Sequence, residues 1–362
     1  LPEFTWQDSK DRPFNLYFDR LSGRRTVLFL CPSLGMAGAG QEIAALAEQQ
    51  RAFDADDVQV FVVTGDLAGK VVDAPMPGTM WPQVVLDRGF KAGEVLGPES
   101  ATAQGCAILL DSNNRLEAVF AHGGEGSYAD QALAALAARP LAREPVVFTN
   151  HAPVLIVPNL IDRDHCRRLI AYWEKGQQYE GGIASDRGKH KLDTQFKVRR
   201  DVALPDMETE AQELFAIFRR RLFPEIRRVF RYHVSRAETL RLGCYDSADG
   251  GRFTPHRDDA AKHIRHRRFA MSMNLNSGEY EGGHLKFAEY GPQLYAPEAG
   301  GAVIFSCSLL HEAMPVTAGR RFAIFGFFHG EIEESERRAR KAEYEYTLVD
   351  QPAKVYAVRQ GG

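Results

Sequence analysis

Apolar residues along this chain fall into two textures. Up to about residue 140, continuous apolar runs alternate with segments whose apolar positions recur every three or four residues. The runs at 26–31 (TVLFLC), 58–64 (VQVFVVT), 84–87, 106–111 (CAILLD) and 116–121 have the length and β-branched content of strands. Between 41 and 53, Ile43, Leu46, Ala47 and Phe53 share about one helical face, and 130–138 is an Ala/Leu-rich helix. Asn113 and Asn114 are turn formers between the last two runs. The predicted order is β-α-β, then a β-hairpin, then a helix.

A connector punctuated by Pro140, Pro145, Pro153 and Pro158 follows, which places a domain boundary near residue 148. Asp162 is the expected N-cap of a helix over 163–175, with Cys166, Leu169, Ile170 and Trp173 inward. An amphipathic helix is expected over 207–232, through Leu214, Phe215, Phe218, Leu222, Ile226 and Val229, kinked at Pro224. After residue 239 short apolar runs at 240–245, 269–275, 283–287, 301–306 and 322–328 alternate with Gly and Pro turns. This spacing predicts an antiparallel sandwich or barrel. The charged stretch 331–345 reads as an outer helix.

Composition narrows the classes. Apolar residues make up 44% and charged residues 26%, as in globular domains. No eighteen-residue apolar run suggests a membrane span, and no signal peptide is visible. The five cysteines, Cys31, Cys106, Cys166, Cys244 and Cys307, are scattered in apolar settings without a Cys-x-x-Cys pair. They read as buried small residues of a reducing, cytoplasmic compartment. Residues 1–150 carry a net charge of −7 and residues 151–362 carry +4. That asymmetry supports two units and is too mild to argue for nucleic-acid binding.

The candidate chemistry lies in the second unit. His256 and Asp258 are two residues apart, so on an extended chain an imidazole and a carboxylate point to one side. A third candidate, His311, follows the 301–306 strand and its turn. Two histidines and one carboxylate leave positions on an iron open for a bidentate 2-oxo acid and dioxygen. Ten residues after His311 stands Arg321, able to fork onto a carboxylate.

The stretch from Leu240 to Phe328 resembles the core of the prolyl 4-hydroxylase-type 2-oxoglutarate/Fe(II) dioxygenases. The matching marks are Cys244-Tyr245, Thr254-Pro255-His256-Arg257-Asp258, Glu281-Gly282-Gly283-His284-Leu285, Pro297 to Gly301, His311 and Arg321. The resemblance implies a double-stranded β-helix, or jelly roll, with His256, Asp258 and His311 as catalytic iron ligands. Arg321, with Arg320 as the fallback one residue out of register, would bind the distal carboxylate of 2-oxoglutarate. Tyr245 would hydrogen-bond the same carboxylate, and Asn274 and Asn276 would line the cosubstrate pocket. Fe(II), 2-oxoglutarate and O2 are the implied cofactor and cosubstrates, with ascorbate as a further candidate. Asp258 favours hydroxylation, because related halogenases lack that carboxylate.

Residues 13–140 resemble peroxiredoxins, of thioredoxin type, in element order. The family pattern places Thr or Ser four residues, Cys seven and Glu ten after a proline. Here Pro32 is followed by Met36, Ala39 and Glu42, so the frame lacks its nucleophile. Cys31 precedes the proline at a strand end.

The expected fold is therefore α+β with two domains: a thioredoxin-like α/β domain over 1–147, a jelly roll with flanking helices over 148–335, and a helix and tail over 336–362. The expected function is hydroxylation of an aliphatic C–H with release of succinate and CO2. The substrate would be a small molecule or peptide, either a prolyl residue or a free amino acid or metabolite. The alternative is a slow-turnover iron- and oxygen-sensing or partner-binding module. A homodimer through the first domain is a candidate assembly. Two segments could serve the substrate: the basic loop 260–268 (AAKHIRHRR) as a lid, and 194–201 (TQFKVRRD) as a substrate-side strand, each with a solvated or edge role as the plainer reading.

Overall fold

The computed structural model describes residues 6–7, 12–14, 23–66, 82–96, 105–121, 124–140, 147, 149–184, 190–191 and 194–341. The chain divides into two compact units, Leu1–Val146 and Val147–Gly362. Among the described residues no helix is long and apolar enough to cross a membrane.

The first unit is built on one seven-stranded sheet. Its centre is Thr26–Cys31, parallel to Gln59–Thr64 on one side and antiparallel to Cys106–Leu110 on the other. Gln83–Leu86 extends the parallel side and Leu116–Ala121 the antiparallel side. Parallel neighbours need a crossover, and the helices Ala39–Glu48 and Gln50–Ala55 supply it. The central strand is a continuous apolar run because both faces are covered. Val27 and Phe29 join one cluster, with Leu46 and Leu136 from the helices, while Leu28 and Leu30 join another with Trp6 and Phe90.

Local details differ from the pattern reading. The helix expected over 41–53 begins at Ala39 and breaks at Gln49. The last helix starts earlier, at Tyr128, because Ser127 and Asp130 form a capping box and Glu42 Oε2 accepts the Tyr128 N–H at 2.9 Å. A short helix, Lys91–Leu96, and the two-residue strands Trp6–Gln7 and Pro13–Phe14, the latter at the sheet edge, left too little periodicity to be read.

Among the described residues the second unit contains two main antiparallel sheets and two two-stranded ones. The larger has eight strands: Leu155–Val157, Ala302–Ser306, Phe269–Asn274, Arg320–His329, Leu240–Asp246, Arg200–Leu204 and Tyr179–Glu180 lie side by side, and Arg236–Ala237 pairs with the end of Arg320–His329. The smaller has five, in the order Lys197–Val198, Arg252–His256, His311–Ala313, Leu285–Lys286 and Leu294–Tyr295. Alternation in the large sheet sorts its residues. Leu242, Met271, Ile304, Phe322 and Ile324 face a helical layer that contributes Leu169, Trp173, Leu214, Phe218 and Ile226. Tyr245, Ala270, Val303 and Phe305 face inward and meet Leu285, Phe287 and Ala313 of the small sheet. Two sheets joined by their apolar inner faces form a sandwich.

The expected helix over 163–175 is present as Arg163–Lys175, and the Asp162 side chain caps it by accepting the His165 N–H at 2.7 Å. The helix expected over 207–232 is divided. Thr209–Ile217 passes through a π-helical turn, Phe218–Leu222, into Phe223–Phe230. Pro224 sits in the first turn of that last piece, so its missing N–H is absorbed by the π turn just upstream. The outer helix spans Glu331–Lys341; residues 342–362, which hold the rest of the predicted helix and tail, lie outside the described residues.

Candidate active site

The strand Arg252–His256 pairs antiparallel with His311–Ala313, and the register puts His256 directly opposite His311. Their ring centroids are 4.2 Å apart. Asp258 departs from the expected strand geometry. The strand ends at His256, and Asp258 lies in the following turn, held by its N–H to the Cys307 carbonyl at 2.9 Å. The turn, rather than the pleat, brings the carboxylate back over the imidazoles.

The three side chains converge. His256 Nε2 lies 3.5 Å from Asp258 Oδ1, and His311 Nε2 lies 3.3 Å from Asp258 Oδ2. His256 Nδ1 is 2.8 Å from the Thr254 carbonyl and His311 Nδ1 is 3.0 Å from the Leu309 carbonyl. A carbonyl can only accept, so each Nδ1 carries the proton and each Nε2 presents its lone pair to the centre. All three donor atoms lie within 4.8 Å of one another. Two lone pairs and a carboxylate facing one point call for a cation there. Burial would raise the Asp258 carboxyl, but His311 and then His256 outweigh it and hold it well below the usual range. Burial lowers His256; in His311 the carboxylate overcomes burial and raises it.

Packing fixes the rings. Phe253 stacks on His256 with centroids 3.4 Å apart, and Phe305 meets His311 edge-on at 4.6 Å. The group opens into a cavity of about 350 Å³, whose wall includes Tyr245, Ser272 and Phe325 of the large sheet. That volume suits a small-molecule site.

The two adjacent arginines face opposite ways. Arg320 is exposed and pairs with Glu174 at 3.2 Å. Arg321 is 1% exposed and lies opposite Tyr245 in the ladder, with its guanidinium 5.4 Å from the Tyr245 ring. Its Nη2 donates to Ser272 Oγ at 2.9 Å and to Asn274 Oδ1 at 2.8 Å, and its Nε reaches the same Asn274 oxygen at 3.3 Å. Its Nη1 has no hydrogen-bond partner among the described residues. A fully buried guanidinium with one uncommitted nitrogen is the cradle expected for an anion.

The other expected positions resolve differently. Tyr245 is buried, and its hydroxyl accepts from Arg199 Nη1 at 3.3 Å. Asn274 touches the Arg321 guanidinium rather than the cavity: its amide nitrogen is spent on Ser277, Tyr280 and the Pro297 carbonyl. Asn276 holds the strand beside the arginines, donating to the Arg320 carbonyl at 2.8 Å and accepting the Phe322 N–H at 2.9 Å. Of the basic loop 260–268, His266 and Arg267 are buried and held by Glu238, the latter in a fork at 2.6 and 2.6 Å. Burial would raise the Glu238 carboxyl, yet the Arg267 guanidinium and His266 hold it well below its ordinary value.

Ser272 was not singled out from the sequence; the segment 194–201 was, as a candidate substrate-side strand, but the burial of Lys197, Arg199 and Asp201 as a group was not foreseen. Ser272 was within reach, since it precedes Asn274 by two on one strand face. The trio was not, because 194–201 passes from one sheet to the other: Lys197 pairs with Phe253 in the small sheet, while Asp201 pairs with Gly243 in the large one.

Residues 240–329 match the 2OG-Fe(II) oxygenase superfamily. A PKHD-type hydroxylase of Pseudomonas putida is 26% identical over 198 residues, which is 51% of this chain and 82% of that protein. One from Synechococcus is 30% identical over 106 residues, covering 28% of this chain and 46% of that protein. Among solved structures, a Trichoplax adhaerens prolyl hydroxylase in complex with a hypoxia inducible factor peptide fragment has 18% identity and a TM-score of 0.43, covering 51% of this chain and 86% of that one. A Pseudomonas putida prolyl-4-hydroxylase has 17% identity and a TM-score of 0.39, covering 49% and 92%. The C-terminal part of the chain therefore carries a 2OG-Fe(II) oxygenase domain, of a family that uses Fe(II) and 2-oxoglutarate.

Proposed function

We propose that the second unit is a hydroxylase in which His256, Asp258 and His311 hold Fe(II) and Arg321 receives the distal carboxylate of 2-oxoglutarate. The observation that carries this reading is the uncommitted Nη1 of buried Arg321, whose partner Ser272 lines the same cavity as the convergent His-Asp-His group. Bound together, iron and 2-oxoglutarate supply the oxidative decarboxylation to succinate and CO2 that drives insertion of an oxygen atom into an aliphatic C–H bond.

The chain's own residues bind, orient and shield. Each histidine is fixed in one tautomer by its backbone carbonyl, so both Nε2 atoms are ready without rearrangement. Ser272 and Asn274 set the plane of the Arg321 guanidinium, which a carboxylate can then meet in a fork. Tyr245 accepts from Arg199 and keeps its own hydroxyl proton to donate to the same carboxylate. Phe253, Phe305 and Phe325 line the cavity and exclude water.

For the first unit we infer a thioredoxin-like scaffold without peroxidase chemistry. Its support is the sheet order, with parallel and antiparallel partners on opposite sides of the central strand. Cys31 is fully buried and burial pushes its thiol up to about 11, which leaves almost no thiolate at neutral pH.

The test is aerobic turnover of 2-oxoglutarate by the full chain with Fe(II), followed by mass spectrometry of candidate products for the added oxygen. Succinate release that disappears in H256A and H311A supports the reading. Unchanged release in both sinks it.

A further inference from the structure

The cavity wall carries an under-neutralised group of cations, distinct from Arg321. Lys197, Arg199, Arg241 and Arg267 all line it. Asp201 and Glu238 are the carboxylates packed against them, and Asp258 belongs to the metal-binding group. Glu238 is occupied by the Arg267 fork, with Arg241 at 3.9 Å. Both oxygens of Asp201 are taken by Arg199, at 2.6 and 2.7 Å.

That leaves Lys197. Its side chain is 6% exposed, yet its ammonium meets Asp201 only at 3.8 Å and the Gly182 carbonyl at 3.3 Å among the described residues. An ammonium offers three donors, and a buried one without a close carboxylate is costly. Burial, and then the neighbouring Arg199 guanidinium, push it down to about 7. Its position is specific. Nζ lies 5.0 Å from the centre of the Phe253 ring, and that ring stacks on His256. One aromatic ring thus separates the ammonium from the metal-binding group. Tyr245 stands between the two cationic seats, its ring beside Arg321 and its hydroxyl on Arg199.

We infer that Lys197, with Arg199 and Arg241 beside it, is the seat of a carboxylate on the substrate, so that the substrate is a small aliphatic carboxylic acid, such as a free amino acid, rather than the interior of a neutral peptide. This rests on the proposed oxygenase site, and it deepens it. Arg321 orients the cosubstrate; Lys197 anchors the substrate's acid group, with its aliphatic carbons turned towards the metal-binding group. The aromatic wall formed by Phe196, Phe253 and Phe325 suits an apolar body with an anionic end.

Ligand-observed NMR on the full chain tests it, with Zn(II) in place of iron and 2-oxoglutarate present, and again with neither. The probes are L-proline and L-leucine, their primary amides, and an end-blocked acidic peptide. The free acids are expected to bind the wild type and the amides to fail. K197M and K197Q should each weaken acid binding roughly tenfold to a hundredfold; the glutamine variant keeps a polar group there in case the methionine variant folds poorly. Lys197-dependent binding of the acidic peptide in preference to the free acids overturns the small-acid assignment. Equal binding of amides, no binding of any acid, or acid binding that survives both variants overturns the proposal, as does a loss confined to 2-oxoglutarate. Lys197-dependent acid binding in a protein that takes up neither Zn(II) nor 2-oxoglutarate would sink the oxygenase reading alone.

Discussion

Removing the Arg321 guanidinium should weaken 2-oxoglutarate binding while the neighbouring Arg320 hardly matters. Arg321 is 1% exposed, and its Nη1 is uncommitted while Nη2 and Nε are anchored on Ser272 and Asn274. A charge-assisted contact from such a group contributes about 1.5–3 kcal/mol, roughly tenfold to a hundredfold in affinity. Arg321→Ala also strands Ser272 and Asn274, so its stability falls without ligand and a simple comparison of melting points would mislead. The informative quantity is the stabilisation that 2-oxoglutarate adds to each variant, measured by thermal or urea unfolding with Zn(II) in place of iron. At a ligand concentration one hundred times the wild-type Kd, the wild type gains about 2.7 kcal/mol. A tenfold to hundredfold weaker variant gains about 1.4 to 0.4 kcal/mol at that concentration. Arg321→Lys should recover part of the gain, since an ammonium is a point charge without the planar fork. Arg320→Ala should behave as wild type, because that side chain is exposed and pairs with Glu174. A larger loss at 320 than at 321, or a full gain in Arg321→Ala, would refute the assignment.

Two further outcomes follow from other parts of the chain. Glu238→Gln should destabilise the second unit by about 3–5 kcal/mol at pH 7, because it leaves buried Arg267 without its carboxylate. Glu238 is depressed in the folded state, so its contribution is complete above its unfolded pKa of about 4.3 and fades as pH falls below it. Urea midpoints of wild type and E238Q should therefore converge in acid, and a constant gap would remove Glu238 from the account. In the first unit, hydrogen peroxide should not be turned over with a thiol donor, because Cys31 is buried and raised to about 11; turnover that vanishes in Cys31→Ser would show the thiol recruited after all.

What could be read along the chain follows the distance over which each contact acts. The inner and outer faces of the strand Arg320–His329 alternate with period two, so the contrast between buried Arg321 and exposed Arg320 was legible from one-residue parity. His256 and His311 were legible as residue types, although the cross-strand register that joins them was not. Asp258 sits in a turn beyond the strand, where i, i+2 reasoning gave the right neighbour for the wrong backbone reason. Lys197, Arg199 and Asp201 were invisible as a group, because their burial comes from a segment shared by two sheets and from Tyr245 and Phe253, far along the chain. The π turn at Phe218–Leu222 carries no periodic signature distinct from the helix around it.

His256, Asp258 and His311 are proposed to hold one metal at which 2-oxoglutarate is used. Anaerobic titration of Fe(II) into the full chain, with 2-oxoglutarate present and metal quantified after removal of unbound ions, addresses it directly. One iron per chain is expected in the wild type and essentially none in H256A or H311A, with succinate appearing only in the wild type once oxygen is admitted. Wild-type iron binding in both histidine variants, or no iron in the wild type, would contradict it.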